Sequence, residues 1–196
     1  AYYAKQDAEK LSGKGDTSQR LTLMKTSADS LKKSADALND SSLLEKKKIK
    51  KKDEKTGEEI EVEDYDWDKI TKAVKSFVED YNDVVKEAGE SNTKDVLRNA
   101  SWITGMTDKN SNMLAKIGIT IGKGNKLELD EDALKQADIS SLKTVFTGYN
   151  SFVSKISQKA TGISNAANRA SATYTNNGTY SKTDSSLTSS KIDKEV

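Results

Sequence analysis

Apolar residues recur at alternating spacings of three and four along three stretches of the chain, the pattern of helices laid side by side around a narrow shared seam. The first stretch holds Leu21, Met24, Ala28, Leu31, Ala35 and Leu38. The second holds Trp67, Ile70, Val74, Phe77, Tyr81, Val84 and Ala88, with Asp68, Lys72, Lys75, Glu79 and Lys86 on its other faces. The third is the longest: Ile139, Leu142, Phe146, Tyr149, Val153, Ile156, Ala160, Ile163, Ala167, Ala170 and Tyr174. Unbroken, it would make a helix about 50 Å long. The predicted fold class is therefore mainly α: an elongated antiparallel helical bundle or coiled coil carrying one or two small β-hairpins.

The first seam helix is expected to start near residues 16 to 18, where short side-chain oxygens can cap free backbone N–H groups, and to end around 39 to 42. The second begins after Asp64 or Asp66 and stops at Gly89. Between them the period changes to two. Residues 46–52 are nearly all lysine, 55–58 carry a turn signal, and 58–63 alternate acidic with β-branched residues, so 46–63 reads as a β-ribbon with a basic strand facing an acidic one. A less regular helix is expected over 93–116, with Val96, Leu97, Ala100, Ile103, Met106, Met113 and Leu114 as its apolar set and interruptions at Gly105 and 108–112. A β-hairpin over 117–129 follows, turning at Gly122-Lys123-Gly124-Asn125, and Asp130-Glu131-Asp132 then opens a short helix. The predicted domain organisation is a flexible N-terminal segment over 1–16, a helical bundle domain over 17–174 carrying the ribbon insert and the hairpin, and a polar, disordered tail over 175–196.

Of the 196 residues only 34% are hydrophobic and 32% are charged, too few apolar side chains for a large spherical core but enough for a seam. Proline is absent, so no residue forces a break in a long helix, and Gly148 and Gly162 are the positions where the third one can bend or end. The absence of cysteine and histidine excludes disulfides, thiolate nucleophiles, Cys/His zinc sites and imidazole acid-base chemistry. Lys plus Arg number 32 against 31 Asp plus Glu, without the basic excess of a nucleic-acid binder. No apolar run is long enough for a membrane span. The chain begins Ala1-Tyr2 without methionine, as a processed product or a fragment does.

Several groups invite a functional reading. The 46–52 lysine run can face an anionic surface, yet a lysine strand beside an acidic one more often guards a ribbon edge against aggregation. Gly118, Gly122 and Gly124 around Lys123 have the wrong spacing for a phosphate loop and read as a turn. Asp130, Glu131 and Asp132 lack the ligand spacing of a calcium loop and read as helix-capping residues. Trp67 and Trp102 are expected to fill seams, and either one, if exposed, becomes a docking anchor. No catalytic, cofactor-binding or metal-ligating residue is assigned, no cofactor is called for, and the chain is read as a non-enzyme.

Four blocks carry a family likeness: Phe77-Val78-Glu79-Asp80-Tyr81-Asn82-Asp83; Leu114-Ala115-Lys116-Ile117-Gly118-Ile119-Thr120; Lys126 through Leu134, reading KLELDEDAL; and Val145-Phe146-Thr147-Gly148. In order and spacing they resemble the C-terminal part of the flagellar filament cap proteins, also called the second hook-associated proteins. The helix with Leu31-Lys32-Lys33-Ser34-Ala35-Asp36-Ala37-Leu38 is similar, more weakly, to the one that precedes the head domains in that family. Here the ribbon alone stands where those β-rich heads belong, and the family's long C-terminal coiled coil is not evident after Tyr174. The resemblance implies an extracellular, structural role at the bacterial flagellum: a leg-like helical domain that packs against flagellin, other filament or hook-junction subunits, or neighbouring cap subunits, with room for a homo-oligomer. The alternative is a generic secreted helical binding or adhesion module without a flagellar role.

Overall fold

The computed structural model describes residues 15–52 and 57–173. The flexible segment expected at the start of the chain falls almost wholly on 1–14 and the tail on 175–196, both outside the described residues. The fold is mainly helical, with seven α-helices and two small antiparallel two-stranded sheets among the described residues.

Helix α1 (Ser18–Asn39) starts where the Thr17 hydroxyl accepts a hydrogen bond from the Arg20 N–H at 3.2 Å. Its six predicted seam residues are all buried. A single 3₁₀ turn (Ser41–Leu44) leads into the ribbon of β1 (Lys47–Lys52) and β2 (Glu59–Asp64). Helix α2 (Trp67–Gly89) is opened by Asp66, which accepts from the Lys69 N–H. Its apolar stripe from Ile70 to Ala88 is buried, and Trp67 packs half-buried against the core.

Helix α3 (Lys94–Lys109) is shorter than the predicted 93–116 helix. Gly105 does not interrupt it; Asn110 does, its side chain donating back to the Met106 carbonyl at 2.7 Å, and α4 (Ser111–Ala115) follows as a separate turn and a half. The predicted hairpin forms as β3 (Ile119–Ile121) and β4 (Leu127–Leu129), with Ile119 opposite Leu129 and Ile121 opposite Leu127. Then come α5 (Glu131–Gln136), α6 (Ile139–Phe146) and α7 (Phe152–Thr173).

The single long third helix is thus two helices. Gly148 sits at φ 103°, a conformation open to glycine and costly for other residues, and the chain turns there. The turn resets the helical phase: Tyr149, a predicted seam residue, is 83% exposed, and Phe152 takes the inward position, its ring 6.3 Å from that of Phe77 in an edge-to-face pair. Gly162, by contrast, neither bends nor ends α7. A Cβ there would lie 2.8 Å from the Asn99 side chain, so its smallness lets α3 and α7 approach.

Helices α1, α2, α3 and α7 form an up-down-up-down bundle in which each neighbour runs antiparallel to the next. Arg20 near the start of α1 meets Glu90 just after α2 at 2.8 Å. Between α1 and α7, Asn39 meets Ser151 and Asp36 accepts from the Ser157 hydroxyl at 2.6 Å. Seven residues back along α1, the Asp29 carboxyl is held below its ordinary range by Lys25 and then by Ser164, seven residues on along α7. On the far side, Asp95 meets Arg169, Asn99 lies over Gly162, and Trp102 stacks with Lys159, which orders α3 against α7. Tyr81 closes the remaining side by donating to Thr107 at 3.0 Å. The ribbon and the Gly148 turn lie at one end of the bundle; residue 16 and the end of α7 lie at the other.

Candidate interaction surfaces

Groups that the sequence singled out as chemical turn out to fix the small hairpin in place. Asp130 accepts from the N–H groups of Asp132 and Ala133 and so caps α5, while Glu131 reaches Lys75 of α2 at 3.5 Å. Gly118, at φ 77°, lets β3 begin against the Asp130 carbonyl, where a Cβ would lie at 2.6 Å. Gly122-Lys123-Gly124-Asn125 makes the turn between β3 and β4. One residue of this assembly was not legible as functional: Asn82 of α2 donates from Nδ2 to the Leu127 carbonyl at 2.9 Å and accepts from the Leu127 N–H at 2.7 Å. The amide thus serves β4 as a third strand would, satisfying the two backbone groups that Leu127 presents on its open edge.

The 46–52 lysine run does face an acidic strand. Lys48 pairs with Glu63, Lys50 with Glu61 and Lys52 with Glu59 on one face of the ribbon; the other carries Ile49 opposite Val62 and Ile60 opposite Lys51. Both strands are mostly exposed. At the ribbon's base the Lys46 ammonium lies 5.6 Å from the centre of the Tyr65 ring, and Tyr65 packs edge-on to Trp67 at 6.3 Å. Lys51 donates to Asp64 at 2.6 Å, and with the Tyr65 N–H it holds the Asp64 carboxyl below the ordinary carboxylate range.

Trp102 corrects the expectation that both tryptophans fill seams. It is 40% exposed on the outer side of α3, and the Lys159 ammonium of α7 sits 4.7 Å from its ring centre. The α3 register explains this: Val96, Ala100, Ile103 and Thr107 face inward, so position 102 points away from the bundle. An exposed indole held flat by a neighbouring cation is a ready contact for a partner side chain.

Polar groups also set the ends and edges of the bundle. Asp16 is buried and gathers the Ser91 hydroxyl, the N–H groups of Asn92 and Thr93, and the Thr93 hydroxyl, at 2.6 to 3.0 Å, over the start of α3. In the groove between α1 and α2, burial pushes the Asp80 carboxyl up despite a hydrogen bond from Ser34, and Asp83 and Glu79 add to the shift. On the opposite edge of α1, burial acts on Asp36 in the same sense, but hydrogen bonds from Lys32 and Ser157 outweigh it and hold the group down. No helix among the described residues is long and apolar enough to cross a membrane.

Comparison with known proteins rests on one match. No curated protein and no solved structure matches the chain. The family model described as "Flagellar hook-associated protein 2 C-terminus" matches residues 91–195, more than half of the chain. The matched span takes in α3 to α7, with the Leu114, Lys126 and Val145 blocks, and continues past Tyr174; the Phe77 block and the rest of the α1–α2 half lie before it. The half that carries Trp102, the docked hairpin and the Gly148 turn is the half in which the likeness is found. On that match the chain belongs to the flagellar hook-associated protein 2 C-terminal family, a structural family of the bacterial flagellum whose place is outside the cell.

Proposed function

We propose that this bundle is a leg-like structural domain of a flagellar filament cap, and that it packs against flagellin or a neighbouring cap subunit through the face shared by α3 and α7. The exposed Trp102, clamped by Lys159, is the observation that carries the reading, because it lies within the span that matches the family. The composition of α7 supports it. Beyond Ala160 its seam is thin, and Ile163, Ala166 and Ala167 are already buried within the bundle, so the outer face of this 22-residue helix, beside Trp102, is the one left for a partner. In this reading 17–174 acts as one bundle unit, with the ribbon and the hairpin as its attachments.

Hydrogen exchange on the full chain, alone and mixed with flagellin, tests the proposal. The α7 residues from 163 to 173 and the outer face of α3 should gain protection on mixing, with a blue shift of Trp102 emission that Trp102→Ala abolishes. No change in either readout at flagellin concentrations up to about 1 mM, where even a weak contact would register, would exclude flagellin as the partner of this face.

A further inference from the structure

We propose that the ribbon is an interface between copies of this chain, in which β2 of one copy pairs antiparallel with β1 of the next. Among the described residues each sheet has only two strands, so the outer edges of β1 and β2 have no strand beside them. The small hairpin has Asn82 to cover its edge; the ribbon, with strands twice as long, has no third strand on either flank among the described residues.

Charge selects the partner. Strand β1 carries five lysines in six residues and β2 four carboxylates in six. Lysine on an edge strand prevents aggregation because identical edges repel, but this ribbon has one edge of each sign. A two-fold dimer made by edge pairing must set like against like, β1 on β1 or β2 on β2, and like charges directly opposite are destabilising. A head-to-tail contact sets basic against acidic and escapes that penalty. The same contact is right in direction: β1 leaves the bundle and β2 returns, so β2 of one copy and β1 of the next are antiparallel with both bundles on the same side.

If the internal register is repeated across the contact, Val62 faces Ile49 of the next copy and Glu61 faces Lys50 of the next copy, so the apolar and charged faces both continue. Sheet twist of about 20–25° per strand turns each bundle by roughly 45° from the last, which fans the bundles apart. A head-to-tail contact closes into a ring or grows as an open chain; it does not stop at a dimer by symmetry. Individual charge pairs across strands are weak and screened by salt, so the contact forms at high local concentration and low ionic strength.

This rests on the reading above for its setting and gives the neighbouring-subunit part of it a surface. Its test uses the chain alone, so its failure is separate from that of flagellin docking. Sedimentation at low salt, from dilute protein to about 1 mM, should show the weight-average mass rising past twice the monomer, and returning to monomer near 1 M salt, where the screening length falls to about 3 Å. Replacing 46–63 by a short Gly-Ser turn should leave a folded monomer throughout. Exchanging the charges, with Lys48, Lys50 and Lys52→Glu together with Glu59, Glu61 and Glu63→Lys, should preserve association, because internal and external pairs both keep opposite signs. A monomer at every concentration, a discrete dimer, association that survives loss of the ribbon, or a ribbon that binds flagellin and not itself would each overturn the proposal.

Discussion

The two sheets of this molecule are built alike, each a pair of antiparallel strands, and are held in place by opposite means. The small one has strands of three residues, yet Ile119 and Leu127 are buried against the bundle and Asn82 fastens the free edge. The ribbon has strands of six residues, mostly exposed, whose cross-strand partners are largely Lys and Glu or Asp. A lone two-stranded sheet is marginal in water. The shorter sheet is therefore the firmer one: burial of a few apolar side chains and the fastening of Leu127 outweigh a longer ladder of solvated opposite charges, each cross-strand pair worth a few tenths of a kcal/mol to about 1 kcal/mol. Strand length says how much backbone is paired; packing says whether the pairing persists.

The comparison breaks most sharply at the buried side. Ile119→Ala or Leu127→Ala should destabilise the whole domain by about 2–5 kcal/mol in chemical denaturation, because the cavity opens in the bundle's own core; a loss under about 1 kcal/mol would mean the small hairpin is as loosely held as the ribbon. Next in size is Asn82→Ala, which strands the Leu127 N–H and carbonyl. It should cost about 1–3 kcal/mol and speed exchange of the Leu127 amide while leaving Ile103 and Ala100 of α3 slow.

Acid sharpens the contrast locally. The Asp64 carboxyl, held low by Lys51 and then by the Tyr65 N–H, favours the folded ribbon above the ordinary carboxylate value of 3.8, and that contribution is lost as pH falls through its lowered folded value. Amide resonances of Ile49 and Val62 should move toward unfolded positions over that window while those of Ile119 and Leu129 stay put. The smallest effect should come from replacing 46–62 with a short Gly-Ser turn. Loop length enters stability logarithmically, so unfolding should shift by no more than about 0.6 kcal/mol, whereas a large drop would show the ribbon packing on the bundle.

The seams of α1 and α2 were legible because burial along a continuous helix obeys a single period, and every apolar position named for α1 is buried. The ribbon and the hairpin were legible from alternation and turn residues. The third seam failed at one point for a physical reason: a 3-4 spacing persists by chance across a turn, so Tyr149 kept its place in the count while Gly148 turned the chain beneath it. The surface features were harder. Trp102 is aromatic and on a helix, which reads as core, and only the register of its neighbours puts it outside. Asn82 and Asp16 act on backbone 45 and about 76 residues away, and no local pattern marks a side chain whose partner is set by the tertiary fold.

The hydrogen bonds between α1 and α7 carry a mechanical meaning. Asn39 with Ser151 and Asp36 with Ser157 join antiparallel helices, while the ribbon marks one end of the bundle and Asp16 and Arg169 the other. A load applied between those ends runs along the helix axes, so it tries to slide α1 past α7. Sliding must break both polar rungs and unseat the whole apolar seam at the same moment, whereas a sideways pull would open them one by one. The domain is accordingly a strut, stiff along its length and yielding at its charged tip.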